Sequence, residues 1–114
     1  MKTYYGERRE GGNYVCLVES NHPGIHQLPG RQLDPRLDLR NHSPSGFEWG
    51  YGGSGPAQLA LALLADALDD DEAAQDYYQQ FKWAVVSGLA DKWTLTESDI
   101  KRAVARLQAG ENVI

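Results

Sequence analysis

The sequence predicts an α+β domain in which a small antiparallel sheet packs against about three C-terminal helices. Two patterns indicate this class. Aromatic and β-branched residues cluster in residues 1–41, whereas apolar residues at helical spacing fill residues 56–110. Strands that precede helices, instead of alternating with them, are typical of α+β proteins. The 114-residue chain has the usual length of one domain, so we expect residues 1–114 to share one core.

The first strands are predicted to form a hairpin. Residues 3–5 and 13–18 are rich in β-forming side chains, and the glycines between them favour a tight turn. Residues 20–32 contain several Pro, Gly and Asn residues and are interpreted as a loop. Leucines and charged residues then alternate over residues 33–40. This alternation predicts a third strand, which would place Leu33, Leu37 and Leu39 in the core and which Pro35 would push to the sheet edge.

The first predicted helix covers residues 56–68 and is apolar on nearly every side, with Gln58 and Asp66 as its only polar residues. Such a helix has to be covered all round, so we expect it at the centre of the domain. Ser54 is predicted to cap it, and Pro56 suits its first turn, where a missing N–H costs nothing.

Two further helices are predicted. The second begins with the acidic residues 69–72, whose charge complements the helix dipole. Its core-facing stripe consists of apolar residues at helical spacing: Ala74, Tyr78, Phe81, Val85 and Leu89. On the same helix Tyr77 and Trp83 are expected at a contact surface. Residues 93–95 are interpreted as a short extended link. Thr96 and Asp99 resemble a capping box for the third helix, which Gly110 ends.

Residues 42–55 join the two halves and contain five glycines interleaved with three aromatic residues. One interpretation is structural: Phe47, Trp49 and Tyr51 seal the buried helix, and the glycines allow close approach of the chain. A second is that the three rings share one side of an extended segment and form a binding platform. A third is that the turn into the helix directs backbone N–H groups at an anion. The candidate binding residues are His42, Ser43, Glu48, Trp49, Tyr51, Gly52, Gly53, Ser54 and Gly55.

Catalytic and metal-binding signals are sparse. His42 and Glu48 would form an acid/base pair, with Ser43 or Ser54 as nucleophile, if the protein were a hydrolase. His22 and His26 lack a third zinc ligand, and the single cysteine, Cys16, lies in the most apolar strand, where we expect it to be inert. We therefore predict no metal and no cofactor, and we expect a binding protein in preference to an enzyme.

Charge narrows the range of partners. The net charge is −5, and it is concentrated in residues 46–114, which carry −6 against +1 for residues 1–45. This balance lacks the basic footprint of a nucleic-acid-binding domain, so we do not expect a nucleic acid as the partner. No run of 18 apolar residues and no signal-peptide core are present, so we expect a cytoplasmic protein without a membrane span. An exposed set of aromatic rings would favour a homodimer.

Residues 42–66, HSPSGFEWGYGGSGPAQLALALLAD, resemble a small prokaryotic family known as domain of unknown function 6166. Tyr5-Gly6, the helix with Tyr78 and Phe81-Lys82, and the segment 93–96 are also similar to it, so the resemblance covers nearly the whole chain. It implies an accessory protein of bacteria, archaea or their viruses and plasmids, and it implies no catalytic residue.

Three functional hypotheses follow. The first is a phage-type or mobile-element accessory protein that binds another protein through residues 42–55, for example as an inhibitor of a host enzyme. The alternative is a binder of a nucleotide or other phosphorylated small molecule at the start of the first long helix. The second alternative is a small hydrolase.

Overall fold

A computed structural model describes residues 1–19 and 30–110 and confirms the α+β class. The elements in chain order are β1 (Lys2–Arg9), β2 (Gly12–Glu19), β3 (Arg31–Gln32), α1 (Ser54–Leu68), α2 (Asp71–Ala84), a 3₁₀ turn (Val86–Gly88), β4 (Lys92–Thr96) and α3 (Glu97–Gln108). The predicted loop over residues 20–32 falls mostly outside the described residues. Among those described, none of the helices has the length and apolarity needed to cross a membrane.

The sheet has four antiparallel strands in the order β3-β2-β1-β4. β1 and β2 form the predicted hairpin, with Lys2 opposite Glu19 and Arg9 opposite Gly12. Its turn needs glycine, because Gly11 has a φ of 93°. β4 occupies the segment interpreted as a short link. That segment is extended, as expected, but it also pairs with β1, which places the N-terminal strand in the middle of the sheet.

The prediction of a third strand over residues 33–40 is wrong. β3 ends at Gln32, and the charged residues that follow pair with one another across a turn. Arg36 has a φ of 54°, and its guanidinium binds the carboxylates of Asp38 and Asp71 at 3.0 and 2.8 Å. Leu33 is buried, whereas Leu39 is half-buried and Leu37 remains 38% exposed. The charged residues of this segment therefore serve ion pairs around a left-handed turn, one with neighbouring Asp38 and one with Asp71 at the start of α2.

Helix α1 is the centre of the core, as predicted, because 12 of its 15 residues are buried. It packs mainly against α2 and also contacts α3. From the sheet, Tyr4 and Trp93 join the same buried cluster, and the Tyr4 hydroxyl donates to Asp66 Oδ1 at 2.6 Å. Pro56 does lie in the first turn, but the predicted Ser54 cap is wrong: the N-cap is Gly53, which has no side chain to accept a hydrogen bond.

The caps of α2 and α3 follow the sequence closely. Asp70 accepts from the backbone N–H of Ala73, and the Thr96–Asp99 capping box is complete. Ile100 and Val104 form the buried face of α3. In α2 the predicted stripe is buried at Ala74, Tyr78 and Phe81, but Val85 and Leu89 lie beyond the last helical residue, Ala84.

Gly6 permits the close contact between β1 and β4. A Cβ atom at this position would lie 2.4 Å from Trp93 Nε1, whereas a Cβ at Gly88 would meet nothing within 4 Å. We expect Gly6→Ala to lower the free energy of unfolding by about 1–3 kcal/mol because the indole has to move out of the core. The matched Gly88→Ala variant should stay within about 0.5 kcal/mol of wild type in urea unfolding. Equal effects of the two substitutions would contradict this assignment.

Candidate functional site

Segment 42–55 is anchored to the rest of the domain by several long-range hydrogen bonds. The Trp49 indole donates to Ala90 O at 2.8 Å, and the backbone N–H of Gly50 donates to Val86 O at 3.0 Å. From the start of β2, Asn13 Nδ2 donates to Phe47 O at 2.9 Å. These bonds hold a glycine-rich segment, which would otherwise have high backbone entropy, in one shape.

Arg8 is the main charged anchor of this segment. Its guanidinium donates to Glu48 Oε1 at 2.5 Å, to Trp49 O at 2.8 Å and to Asp91 Oδ1 at 3.0 Å. It also lies 4.6 Å from the centroid of the Trp49 ring. Because arginine can donate in several directions from one plane, a single side chain joins β1, segment 42–55 and the approach to β4.

Gln58 plays the corresponding role from inside α1. Its side chain is fully buried, and its Oε1 accepts from the backbone N–H groups of His42 and Ser43 at 2.8 and 3.2 Å. Its Nε2 donates to Pro35 O and Arg40 O at 2.5 and 3.1 Å. The only buried polar residue of α1 thus satisfies the backbone of the chain that covers it.

The three aromatic rings do not form the predicted common platform. The Trp49 ring is fully buried, with its centroid 5.7 Å from that of Trp93 in an edge-on arrangement, whereas Phe47 is half-buried and Tyr51 is 52% exposed. Gly50 has a φ of 85°, which interrupts the extended backbone on which the expected alternation depended. The structural interpretation therefore applies to Trp49.

His42, Ser43 and Glu48 each have a different partner. His42 Nε2 hydrogen-bonds the Tyr78 hydroxyl at 2.7 Å, and Ser43 Oγ donates to Gly46 O at 2.7 Å. Glu48 is bound to Arg8, as described above. Ser43 and Glu48 share the lining of a cavity of about 310 Å³ with Gly12, Asn13, Ser45, Gly46 and Phe47. The hydrogen-bonding partners of the three residues are thus separate, and none of these bonds joins two of them.

The glycines at residues 52–55 bring distant side chains against the backbone. A Cβ at Gly52 would lie 2.1 Å from the Trp83 ring, one at Gly53 would lie 2.8 Å from the Tyr51 ring, and one at Gly55 would lie 2.6 Å from Glu48 Cβ. Trp83 is 59% exposed. Residues 51–53 and Trp83 therefore form one exposed surface, which we call the aromatic surface. The sequence predicted a contact surface at Trp83. No pattern in it linked Trp83 to residues 51–53, which lie about 30 positions earlier in the chain.

Metal binding has no support from the described residues. Residues 1–19 and 30–110 contain no group of three or more His, Cys, Asp or Glu side chains that would hold an ion. Cys16 is fully buried, as expected for an inert thiol. His22 and His26 lie outside the described residues.

The site and fold together define a small α+β protein in which a glycine-rich segment, bound through Arg8 and Gln58, covers a buried helix. Residues 4–106 match the profile of a family described as a family of unknown function, DUF6166. The chain therefore belongs to this family, which confirms the resemblance drawn from its sequence. No curated protein and no solved structure matches the chain.

The buried amide of Gln58 should be essential for stability. We expect Gln58→Leu to lower the free energy of unfolding by about 2–4 kcal/mol because two carbonyls and two N–H groups lose their partner. Gln79→Leu, on the exposed face of α2, is the matched control and should change it by less than about 0.5 kcal/mol. Urea unfolding followed by tryptophan fluorescence measures both, and a similarly small loss in both variants would refute the role given to Gln58.

Glu48 should make stability depend on pH. Burial acts to raise the pKa of its carboxyl, but hydrogen bonds from Arg8, Asn13 and the backbone of Trp49 outweigh burial and lower it below the ordinary value. The ionised group therefore stabilises the fold at neutral pH, and this contribution is lost as pH falls through the lowered pKa.

The difference in urea midpoint between wild type and Glu48→Gln should be largest near pH 7 and should shrink towards about pH 3. The exposed Glu10→Gln variant serves as the control and should follow wild type throughout. A difference that stays constant with pH would show that the Glu48 charge does not stabilise the fold.

Proposed function

We propose that this protein is a protein-binding module whose aromatic surface contacts a basic segment of its partner, and that it is an accessory protein of phage or mobile-element type. The observation that carries the proposal is the exposure of Tyr51 and Trp83, at 52% and 59%, beside backbone that is held in one shape. Tryptophan and tyrosine are the residues that most often dominate binding energy at protein interfaces. A rigid backbone beneath them lowers the entropy lost on association.

The acidic charge around the aromatic surface favours a basic partner. Residues 46–114 carry a net charge of −6, and the exposed row on α2 that leads to Trp83 includes Glu72 and Asp76. Helical geometry places Asp76 about 10 Å and Glu72 about 16 Å along the axis from Trp83. A basic segment lying along this row would pair with these carboxylates and stack a side chain on the exposed rings. Inhibition of a host enzyme is one form that such binding takes in this proposal.

The test is a quantitative capture with matched variants. Tagged wild type, the Tyr51→Ala/Trp83→Ala double variant and Leu37→Ala are compared in extracts of the natural host; Leu37 is another exposed hydrophobic residue, outside the aromatic surface. We expect wild type and Leu37→Ala to capture the same basic protein and the double variant to lose it. With the purified pair, affinity should fall about 30-fold in the double variant, as expected for interface anchors, and should weaken with added salt.

Thermal melting separates binding from folding. The double variant should melt close to wild type because both side chains are more than half exposed. Undiminished capture by the double variant would refute the proposal. So would capture of only a second copy of the chain, which light scattering would report as a homodimer.

A further inference from the structure

A polar cavity lies between the β1–β2 hairpin and the first half of segment 42–55. It has a volume of about 310 Å³ and is lined by Gly12 and Asn13 from the hairpin and by residues 43 and 45–48 from the segment. None of these residues belongs to the aromatic surface. The volume is at the lower end of the range of small-molecule pockets, about 300–1,000 Å³, so the cavity suits a single ring and not a chain.

Hydrogen bonds hold the walls of this cavity in place. Asn13 Nδ2 donates to Phe47 O at 2.9 Å, which joins the hairpin to segment 42–55. Ser43 Oγ donates to Gly46 O at 2.7 Å and closes the turn between these two residues. A Cβ atom at Gly46 would meet nothing within 4 Å, so this glycine leaves its side of the cavity open. A ligand therefore enters a site whose shape exists before binding, which lowers the entropy lost on association.

Several polar groups of the lining remain available to a ligand. The Ser45 side chain is exposed, and its hydroxyl has no hydrogen-bond partner among the described residues. The Asn13 amide serves the protein through Nδ2, so its Oδ1 keeps its capacity to accept. Glu48 accepts from Arg8 and from the backbone N–H of Trp49 through Oε1, and its second oxygen has further acceptor capacity.

The charge of the lining favours a neutral ligand. Among the described residues that line the cavity, Glu48 is the only ionisable one, and its carboxylate is already paired with the guanidinium of Arg8. An anion would meet this carboxylate without a cation in the lining to compensate it. A cation would have to share with Arg8 the only carboxylate present. The lining therefore suits hydroxyl groups better than it suits a charged group.

Phe47 adds an apolar surface to this polar lining, since it is half-buried and forms part of the cavity wall. A sugar ring combines the two complementary features: its hydroxyl groups donate and accept hydrogen bonds, and its C–H face packs on an aromatic ring. We propose that this cavity binds one neutral sugar ring. Asn13 Oδ1 and Glu48 accept from its hydroxyl groups, the Ser45 hydroxyl donates to it, and Phe47 packs against its C–H face. The proposal goes beyond protein binding, because it needs no partner protein.

Methyl glycosides of glucose, galactose, mannose and N-acetylglucosamine are the first probes, because each presents one neutral ring. Titration of the isotope-labelled protein with at least one of them should shift the backbone resonances of residues 45–47 and the side-chain amide of Asn13 to saturation. Shifts that stay linear in concentration with all four sugars would overturn the proposal.

Matched variants locate the binding site. Ser45→Ala removes one hydroxyl without removing a contact within the described residues, and it should weaken binding about threefold to tenfold, the effect of one hydrogen bond. Phe47→Leu keeps an apolar side chain without the ring and should also weaken binding. Ser98→Ala, at an exposed serine of α3, should bind as wild type does. Wild-type affinity in either cavity variant would overturn the proposal, and the exposed Ser45→Ala keeps the test valid if Phe47→Leu folds poorly.

Charged probes test the chemistry of the ligand. Methyl glucuronide is an anionic ring and should bind more weakly than the best of the four neutral rings, because the lining offers no counter-charge. N-acetylarginine amide imitates a basic side chain of a protein partner and should also bind more weakly. Tighter binding of either charged probe than of every neutral sugar would overturn the proposal.

An oligosaccharide that ends in the best sugar separates the two sources of such a ring. Tighter binding than that of the methyl glycoside assigns the cavity to the end of a glycan, and equal binding assigns it to the free sugar. All these titrations use the isolated chain, so their outcome is independent of whether the aromatic surface captures a protein.

Discussion

The burial of α1 on nearly every side is the constraint on which the rest of the structure depends. A helix with leucine and alanine on every side loses the hydrophobic stabilisation of any side that remains in water, so each neighbouring element has to cover part of it. The sheet covers it through Tyr4 and Trp93, α2 through Tyr78 and Phe81, and segment 42–55 through Trp49. The order β3-β2-β1-β4 follows the same requirement, because β4 carries Trp93 into the buried cluster next to β1.

Covering α1 with irregular chain creates a second requirement, which is to satisfy the backbone groups of that chain. Gln58 and Arg8 do this from opposite sides: one bonds to four backbone atoms of residues 35–43, and the other bonds to Glu48 and to the carbonyl of Trp49. Much of the motif at residues 42–58 is therefore explained by folding. Glu48, Trp49, Gly55 and Gln58 belong to the packing between this segment and α1, whereas Pro44, Ser45, Tyr51 and Ser54 are exposed.

Function, in our proposals, uses what this packing leaves exposed. The glycines that allow Trp83 and Tyr51 to approach the backbone also leave the first turn of α1 without a side-chain cap. The same short segment thus offers exposed rings to a protein partner. Rigid backbone suits this role, because the partner does not have to order a flexible loop before it binds.

The sequence alone predicted the features of the fold that depend on local interactions. The hairpin turn at Gly11-Gly12, the buried α1 and the Thr96–Asp99 capping box each depend on neighbouring residues or on a regular period, so the amino-acid order determines them directly. Tertiary contacts decided what the sequence left open or indicated wrongly. Residues 92–96 form strand β4 by pairing with β1. The alternating residues 33–40 form a turn, in which Arg36 pairs with Asp71 of α2. Trp49 packs against Trp93, and Trp83 packs against Gly52, so each contact joins residues more than 30 positions apart. Contacts of this kind depend on the shapes and charges of surfaces that meet only in the folded chain. They therefore produce no periodic pattern in the sequence.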